Sequence, residues 1–178
     1  MKRVGFVAII MLVLLVFTFS DSSAQIGFKG VGGHVGFVDG EGSLSGILFG
    51  GHVNLGEIIP GLALAPSFDY WSDSGANILN INGDVRYYFP TDGNIDFFAS
   101  GGLAIVRISA DDTTIPDPFN PGNTITVEGG SDTELGLNLG GGASIPLSDN
   151  LVGTAMLVYG TKLEQIKIMG GLTFLLGQ

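Results

Sequence analysis

The chain has 178 residues, with 7 Lys and Arg against 17 Asp and Glu, no cysteine and a mean hydropathy of +0.44. The acidic balance argues against binding of nucleic acid or anionic headgroups through a basic patch. The absence of cysteine excludes disulfides, thiolate metal sites and a lipid-modified N-terminal cysteine.

The first element predicted along the chain is an export signal. Lys2 and Arg3 precede a nearly pure apolar run at 4–19, and small residues follow at 22–24. The apolar run falls short of the roughly 20 residues that a membrane-spanning helix needs, which disfavours an uncleaved anchor. We therefore predict a signal peptide at 1–24.

The remainder, 25–178, is the length of one domain. Loss of Lys2, Arg3 and Asp21 with the signal leaves 5 basic and 16 acidic residues, a net charge of −11. No second run in this part is long and apolar enough for a membrane helix.

Eight stretches of the mature chain alternate apolar residues with small or polar ones. They are 28–38, 44–55, 62–72, 78–89, 95–109, 134–145, 151–161 and 166–175. This alternation is typical of strands with one lipid face and one lumen face, so we predict an all-β fold, a single antiparallel up-and-down transmembrane β-barrel of about eight strands. A soluble exported barrel of the lipocalin type shows the same period and is the alternative.

The connections between these strands alternate in character. Three short ones carry proline and are predicted periplasmic turns, at 56–61, 90–94 and 146–150. The others would face outside, and of these 110–133 is long, rich in Asp, Thr, Pro and Asn, and has no strand-like run. We expect 110–133 to be a mobile surface loop and the place where an extracellular ligand would bind.

Aromatic residues cluster near the strand ends, as they do at the two interfaces of a bilayer. The predicted periplasmic belt is Phe28, Tyr87, Phe89, Phe97 and Phe174, and the predicted outer belt is Phe37, Tyr70, Trp71 and Tyr159. The alternative is ordinary packing of aromatic side chains at strand ends.

Charged and histidine side chains fall on the faces assigned to the lumen. They are Arg86, Lys167, Asp69, Asp84, Glu134, His34 and His52. A charge inside a narrow barrel is costly without a partner. We therefore predict an ionic network, with Arg86 and Lys167 at its centre, that closes the lumen; hydrated groups at the rims are the alternative.

The segment Arg86-Tyr87-Tyr88-Phe89-Pro90 leads through a tight turn into the aromatic and glycine-rich segment 96–103. With the export signal, the eight strands and the alternating connections, it resembles the small outer-membrane β-barrel superfamily of OmpA, OmpX, OmpW and opacity proteins, over essentially all of the mature chain. The resemblance implies the outer membrane of a Gram-negative-type bacterium, contact with its lipids and insertion by the outer-membrane assembly machinery. One departure is that Phe174 is followed by four more residues instead of ending the chain.

Three other motifs do not meet the requirements of a phosphate, metal or calcium site. The glycine-rich stretch 30–36 lacks the spacing and context of a phosphate loop and fits a tightly curved barrel. His34 and His52 have no convincing third metal ligand, and the acidic stretch 111–117 lacks the alternation of a calcium loop. We expect no metal, no cofactor and no nucleic-acid partner.

Three classes of function follow from this pattern. A structural or surface-interaction barrel is predicted because the long connection faces outside and no catalytic set is present. A narrow porin-like channel, or a conduit for small or apolar solutes, is the alternative, although eight strands normally leave room only for the barrel's own side chains. An acyl-chain enzyme comes third, and we expect the protein not to be an enzyme.

Overall fold

Strands make up nearly all of the regular structure in this computed structural model, which describes residues 26–40, 44–73, 75–116, 119 and 122–176. The predicted signal peptide at 1–24 lies outside the described residues. The strands are β1 (Gly30–Asp39), β2 (Gly46–Asn54), β3 (Glu57–Ile59), β4 (Leu62–Asp73), β5 (Ala76–Tyr88), β6 (Asp96–Ala110), β7 (Thr113–Pro116), β8 (Thr124–Val127), β9 (Ser131–Ser148), β10 (Leu151–Gly160) and β11 (Gln165–Leu175). A short 3₁₀ helix, Lys162–Glu164, precedes β11. Within the described ranges no helix has the length and apolar character needed to cross a membrane.

Eight of the strands close into a barrel. Each pairs antiparallel with the next in the order β1, β2, β4, β5, β6, β9, β10 and β11. The last strand, β11, pairs with β1 and closes the barrel, with Gly30 opposite Leu175 at one end and Asp39 opposite Ile166 at the other. Closure leaves no unpaired sheet edge, as lipid requires. The predicted eight-stranded antiparallel barrel is confirmed.

The strand ends differ from the prediction mainly at β9. The alternation predicted 134–145, whereas the strand begins at Ser131 and ends at Ser148. Ser131 and Asp132 pair with Ser109 and Ile108 of β6, so backbone pairing carries the strand beyond its hydrophobic pattern.

The outer face is apolar around the whole circumference. One large side chain from each barrel strand, 46–63% exposed, illustrates this: Val35, Phe49, Phe68, Ile81, Leu103, Leu137, Leu157 and Ile168. A soluble barrel would turn polar residues outward at these positions. The exterior therefore has the character of a lipid-facing surface and does not fit the lipocalin alternative.

The two ends of the barrel differ. The end that holds Gly30 of β1 and Leu175 of β11 has short connections, and we call it the terminal end. The opposite end, which carries the connection between β6 and β9, is called the loop end.

The long connection is not without structure. Thr113 pairs with Val127 and Pro116 with Thr124, so β7 and β8 form a separate two-stranded sheet, called here the hairpin arm (113–116 and 124–127). The prediction that 110–133 has no strand was wrong. Each strand has four residues, half or more of them Thr or Pro, too short for a period-two signal, although threonine is β-branched and suits a strand.

Candidate functional site

Glycines on the inner face make room for two histidines. His34 of β1 lies opposite Gly50 of β2, and His52 lies opposite Gly32. A Cβ atom at Gly50 would contact the imidazole of His34, and one at Gly32 would contact the ring of His52. Gly32 of the glycine-rich stretch therefore makes room for His52, and Gly50 makes room for His34.

Asp69 is the centre of a buried ionic cluster. Lys167 Nζ donates to Asp69 Oδ2 at 2.6 Å, and the two side chains are 1% and 3% exposed. His34 Nε2 donates to Asp69 Oδ1 at 2.7 Å, and Asn82 Nδ2 donates to Asp69 Oδ2 at 3.2 Å. Three donors satisfy the carboxylate, as a charge at this depth requires.

The cluster continues from His34 towards the terminal end. His34 Nδ1 and His52 Nδ1 are 3.4 Å apart, and His52 Nε2 is 2.7 Å from Thr173 Oγ1. Because the carboxylate of Asp69 accepts from His34, neutral rings require that His52 Nδ1 donates to His34 and that the Thr173 hydroxyl donates to His52. A continuous polar chain thus crosses the lumen from Lys167 to Thr173.

Asp84 accepts from one side-chain amide, that of Asn138. Asn138 Nδ2 donates to Asp84 Oδ1 at 3.2 Å and to Asn82 Oδ1 at 3.0 Å. Asn80 lies two residues before Asn82 on β5, nearer the loop end, and is fully buried. Its side-chain nitrogen and oxygen have no hydrogen-bond partner within the described chain. Asn82 and Asn138 were not singled out from the sequence, although both lie at inward positions of their strands.

Arg86 lies in the lumen but does not join the ionic cluster. Within the described residues no carboxylate pairs with its guanidinium; Nη2 lies 3.9 Å from Met156 Sδ, Cζ lies 5.1 Å from the Phe98 ring centroid, and Nε has no acceptor. The predicted ionic role of Arg86 was therefore wrong. Asp84, two positions back on the same strand, is about 6–7 Å away along the backbone and accepts from Asn138 instead.

Glu134 is also outside the interior cluster. Its carboxylate pairs with Lys162 Nζ at 2.6 Å at the loop end, where each side chain is 36% exposed. Its assignment to the lumen network was wrong, because Lys162 of the turn between β10 and β11 reaches it at the rim.

Eight of the nine aromatic residues assigned to belts are exposed outside the barrel, at 43–56%: Phe28, Phe37, Tyr70, Tyr87, Phe89, Phe97, Tyr159 and Phe174. Their contact with bilayer interfaces stays a prediction. Trp71 was assigned wrongly, because it is 1% exposed and its ring centroid lies 5.7 Å from Lys167 Nζ. Consecutive residues of a strand face opposite sides, so Tyr70 and Trp71 cannot both point outward.

The lumen is closed towards the loop end and open towards the terminal end. Near the loop end six buried apolar side chains pack together, called here the apolar layer: Val38, Leu48, Trp71, Ile78, Val106 and Val158. Beyond the ionic cluster, at the terminal end, lies a cavity of about 160 Å³ beside Arg86, His52 and Thr173. Sequence reasoning missed this cavity, although Ala63 and Ala65 are small residues at inward positions of β4.

No three His, Asp or Glu side chains of the described ranges are grouped so that they could hold a metal ion. The expectation of no metal stays a prediction. The described part of the interior has a hydrogen-bonded cluster and, at the terminal end, a cavity of about 160 Å³ beside the Arg86 guanidinium.

The sequence matches no protein-family model, and no curated protein matches it either. Solved structures do share its fold. Neisserial surface protein A is 15% identical with a TM-score of 0.62, covering 86% of this chain and 99% of that chain. The N-terminal β-barrel domain of Pseudomonas aeruginosa OprF is 20% identical with a TM-score of 0.55, covering 84% and 99%.

A third structure, Ail, the attachment invasion locus protein of Yersinia pestis, is 13% identical with a TM-score of 0.51, and the match covers 87% of this chain and 100% of that chain. Identities this low show the fold alone. The chain has the closed eight-stranded fold of the small outer-membrane β-barrels, as its pattern of strands and connections predicted.

Proposed function

We propose that the protein is an outer-membrane β-barrel of a Gram-negative-type bacterium that has a structural or surface-interaction role and holds the hairpin arm outside the cell. The observation that carries the proposal is the arm itself, a two-stranded sheet at the loop end of a barrel with an apolar exterior. The predicted export signal at 1–24 and the closed sheet support a location in lipid, reached through the outer-membrane assembly machinery.

The hairpin arm has an apolar face that nothing in the described chain covers. Ile115 lies opposite Ile125, and Val127 falls on the same face; these side chains are 41–51% exposed. The other face carries Thr114 and Thr126. Exposed apolar side chains on a short sheet with two open edges favour contact with another protein.

The names of two structural neighbours agree with a role at the surface. One is a neisserial surface protein and another an attachment invasion locus protein. In this chain the hairpin arm is the candidate for an interaction at the cell surface.

The orientation is tested by cysteine labelling, because the natural chain has no cysteine. Thr114→Cys places a thiol on the arm, and Asp92→Cys places one in the exposed connection between β5 and β6 at the terminal end. With a polyethylene-glycol maleimide too large for porins, we expect intact cells to be labelled at position 114, and at position 92 only after the outer membrane is opened. The reverse result would mean that the arm faces the periplasm.

The interaction role is tested by exchanging the apolar face for polar residues. We expect Ile115→Asn with Ile125→Asn to reduce the retention of expressing cells on surfaces coated with collagen, laminin or cells of the same strain. Thr114→Asn with Thr126→Asn is the matched control on the opposite face and should leave retention unchanged. Equal retention for all variants would reject the interaction role, and the structural role would then be tested by the detergent sensitivity of a deletion strain.

The channel alternative is tested in planar bilayers. The apolar layer supports a closed lumen, so we expect no discrete conductance steps from the purified protein. Steps in the unmodified protein would favour the channel. Trp71→Ala removes the largest side chain of the layer and serves as the variant in which a leak is expected.

A further inference from the structure

The cavity at the terminal end is bounded by strand ends on several sides. Its walls include Ala63 and Ala65 of β4, Val152 of β10 and Leu175 of β11, and Asp96 lies at its rim. The cavity is partly open to solvent at this end, where Asp96 is exposed. The apolar layer blocks the other end.

Arg86 is the cationic group of this cavity and is 9% exposed. Within the described residues its guanidinium contacts a thioether sulfur and an aromatic ring but no carboxylate. A buried guanidinium is costly without an anion, and its planar fork matches a carboxylate. The Lys167 ammonium, by contrast, is paired with Asp69.

The other lining groups define what kind of anion fits. Ser144 and Thr154 hydroxyls, 3.3 Å apart, share one hydrogen bond and leave a second donor for a ligand. Ala63, Ala65, Val152 and Leu175 supply the apolar part of the wall, and His52, Asn54, Tyr88 and Thr173 also line it. Asp96 at the rim repels a second negative charge.

The volume sets the size of the ligand. A cavity of about 150 Å³ with an apolar wall holds a benzene molecule, and this one measures about 160 Å³. We propose that the terminal-end cavity binds a small monocarboxylate with a compact apolar body, held by a bidentate pair between its carboxylate and Arg86. In the orientation proposed above, the ligand enters from the periplasm; the binding itself does not depend on that orientation.

The test uses the full protein extracted from outer membranes in detergent, with benzoate as the probe. Calorimetry, with protein-free micelles subtracted, should give saturable benzoate binding and at least about tenfold weaker binding of benzyl alcohol, because a hydrogen bond to a charged group contributes about 1.5–3 kcal/mol. Arg86→Met should lose at least about tenfold in affinity for benzoate, and Arg86→Lys should recover part of it. Arg107→Met, the same exchange at an exposed position near the loop end, should bind like the unmodified protein.

A second variant keeps the proposal testable if Arg86→Met does not fold. Ala65→Leu fills the cavity from the β4 wall and leaves Arg86 in place, so it should abolish benzoate binding while the folded form keeps its mobility on a gel without boiling. Three results would each overturn the proposal: no saturable benzoate binding, equal affinity for benzyl alcohol, or undiminished binding by a folded Arg86→Met or Ala65→Leu variant. None of them bears on the hairpin arm or the labelling result.

Discussion

Asp69 accepts hydrogen bonds from side chains on three other strands, Lys167 of β11, His34 of β1 and Asn82 of β5. It therefore ties opposite sides of the barrel together through one carboxylate. A buried ion pair contributes little over an apolar pair of the same size, but removal of one partner leaves an uncompensated charge.

We expect Lys167→Met to lower the free energy of unfolding by about 3–5 kcal/mol, because the charge on Asp69 loses its cation. The measurement is urea unfolding of the protein in lipid vesicles, followed by the fluorescence of its one tryptophan. Lys162→Met is the control, since it removes the half-exposed pair with Glu134 and should cost about 0–1 kcal/mol. Similar losses in the two variants would contradict the assignment of the ion pair to the barrel core.

Asn80 contrasts with Asp69, whose carboxylate accepts from three donors. Its side chain is fully buried with no partner among the described residues. We expect Asn80→Leu to raise the free energy of unfolding by about 1–3 kcal/mol, because an unsatisfied amide is replaced by an apolar group of similar size. Asn82→Leu is the contrast, because it removes hydrogen bonds to Asp69 and Asn138 and should destabilise in the same assay.

At the scale of the strands, inward glycines set how closely neighbours approach. Gly102 of β6 lies opposite Asp84 of β5, and a Cβ atom there would collide with the Asp84 carboxylate and with the carbonyl of Gly83. Gly83 itself faces outward, where an added Cβ would have its nearest neighbour at 3.9 Å. Two glycines of adjacent strands therefore have different steric surroundings.

We expect Gly102→Ala to cost about 1–3 kcal/mol in unfolding free energy, because overpacking forces Asp84 away from Asn138. Gly83→Ala should be neutral within about 0.5 kcal/mol, as an unhindered outward substitution. The temperature at which the folded gel band disappears provides a second readout. A larger loss at Gly83 would show that the inward face had been assigned to the wrong glycine.

At the scale of the whole molecule, closure depends on the pairing of β1 with β11. A barrel opened there exposes two rows of unpaired backbone groups to lipid. The hairpin arm, by contrast, pairs with itself as a separate sheet.

We therefore expect deletion of 165–178, which removes β11, to abolish the heat-modifiable mobility that distinguishes unboiled from boiled samples of a closed barrel. Replacement of 113–127 by a short Gly-Ser turn should preserve it. Loss of the folded band in both variants would mean that the arm also supports barrel assembly.

The sequence by itself determined the strand number, the antiparallel meander and the inward or outward face of most of the residues assigned to the lumen or the belts. These features follow from a period-two alternation and from connection length, both of which are local properties of the chain. The alternation also predicted that Lys167 and Asp69 share the lumen, although 98 residues separate them.

Only the tertiary structure decided which inward groups meet. Strand register and stagger around the closed sheet place Lys167 in an ion pair with Asp69 and Asn138 in a hydrogen bond with Asp84. They also place Arg86 beside a cavity. Register depends on pairing between distant segments, which the alternation within one strand does not specify. Partner choice inside a barrel is therefore a property of the closed sheet, whereas the character of each face belongs to the strand.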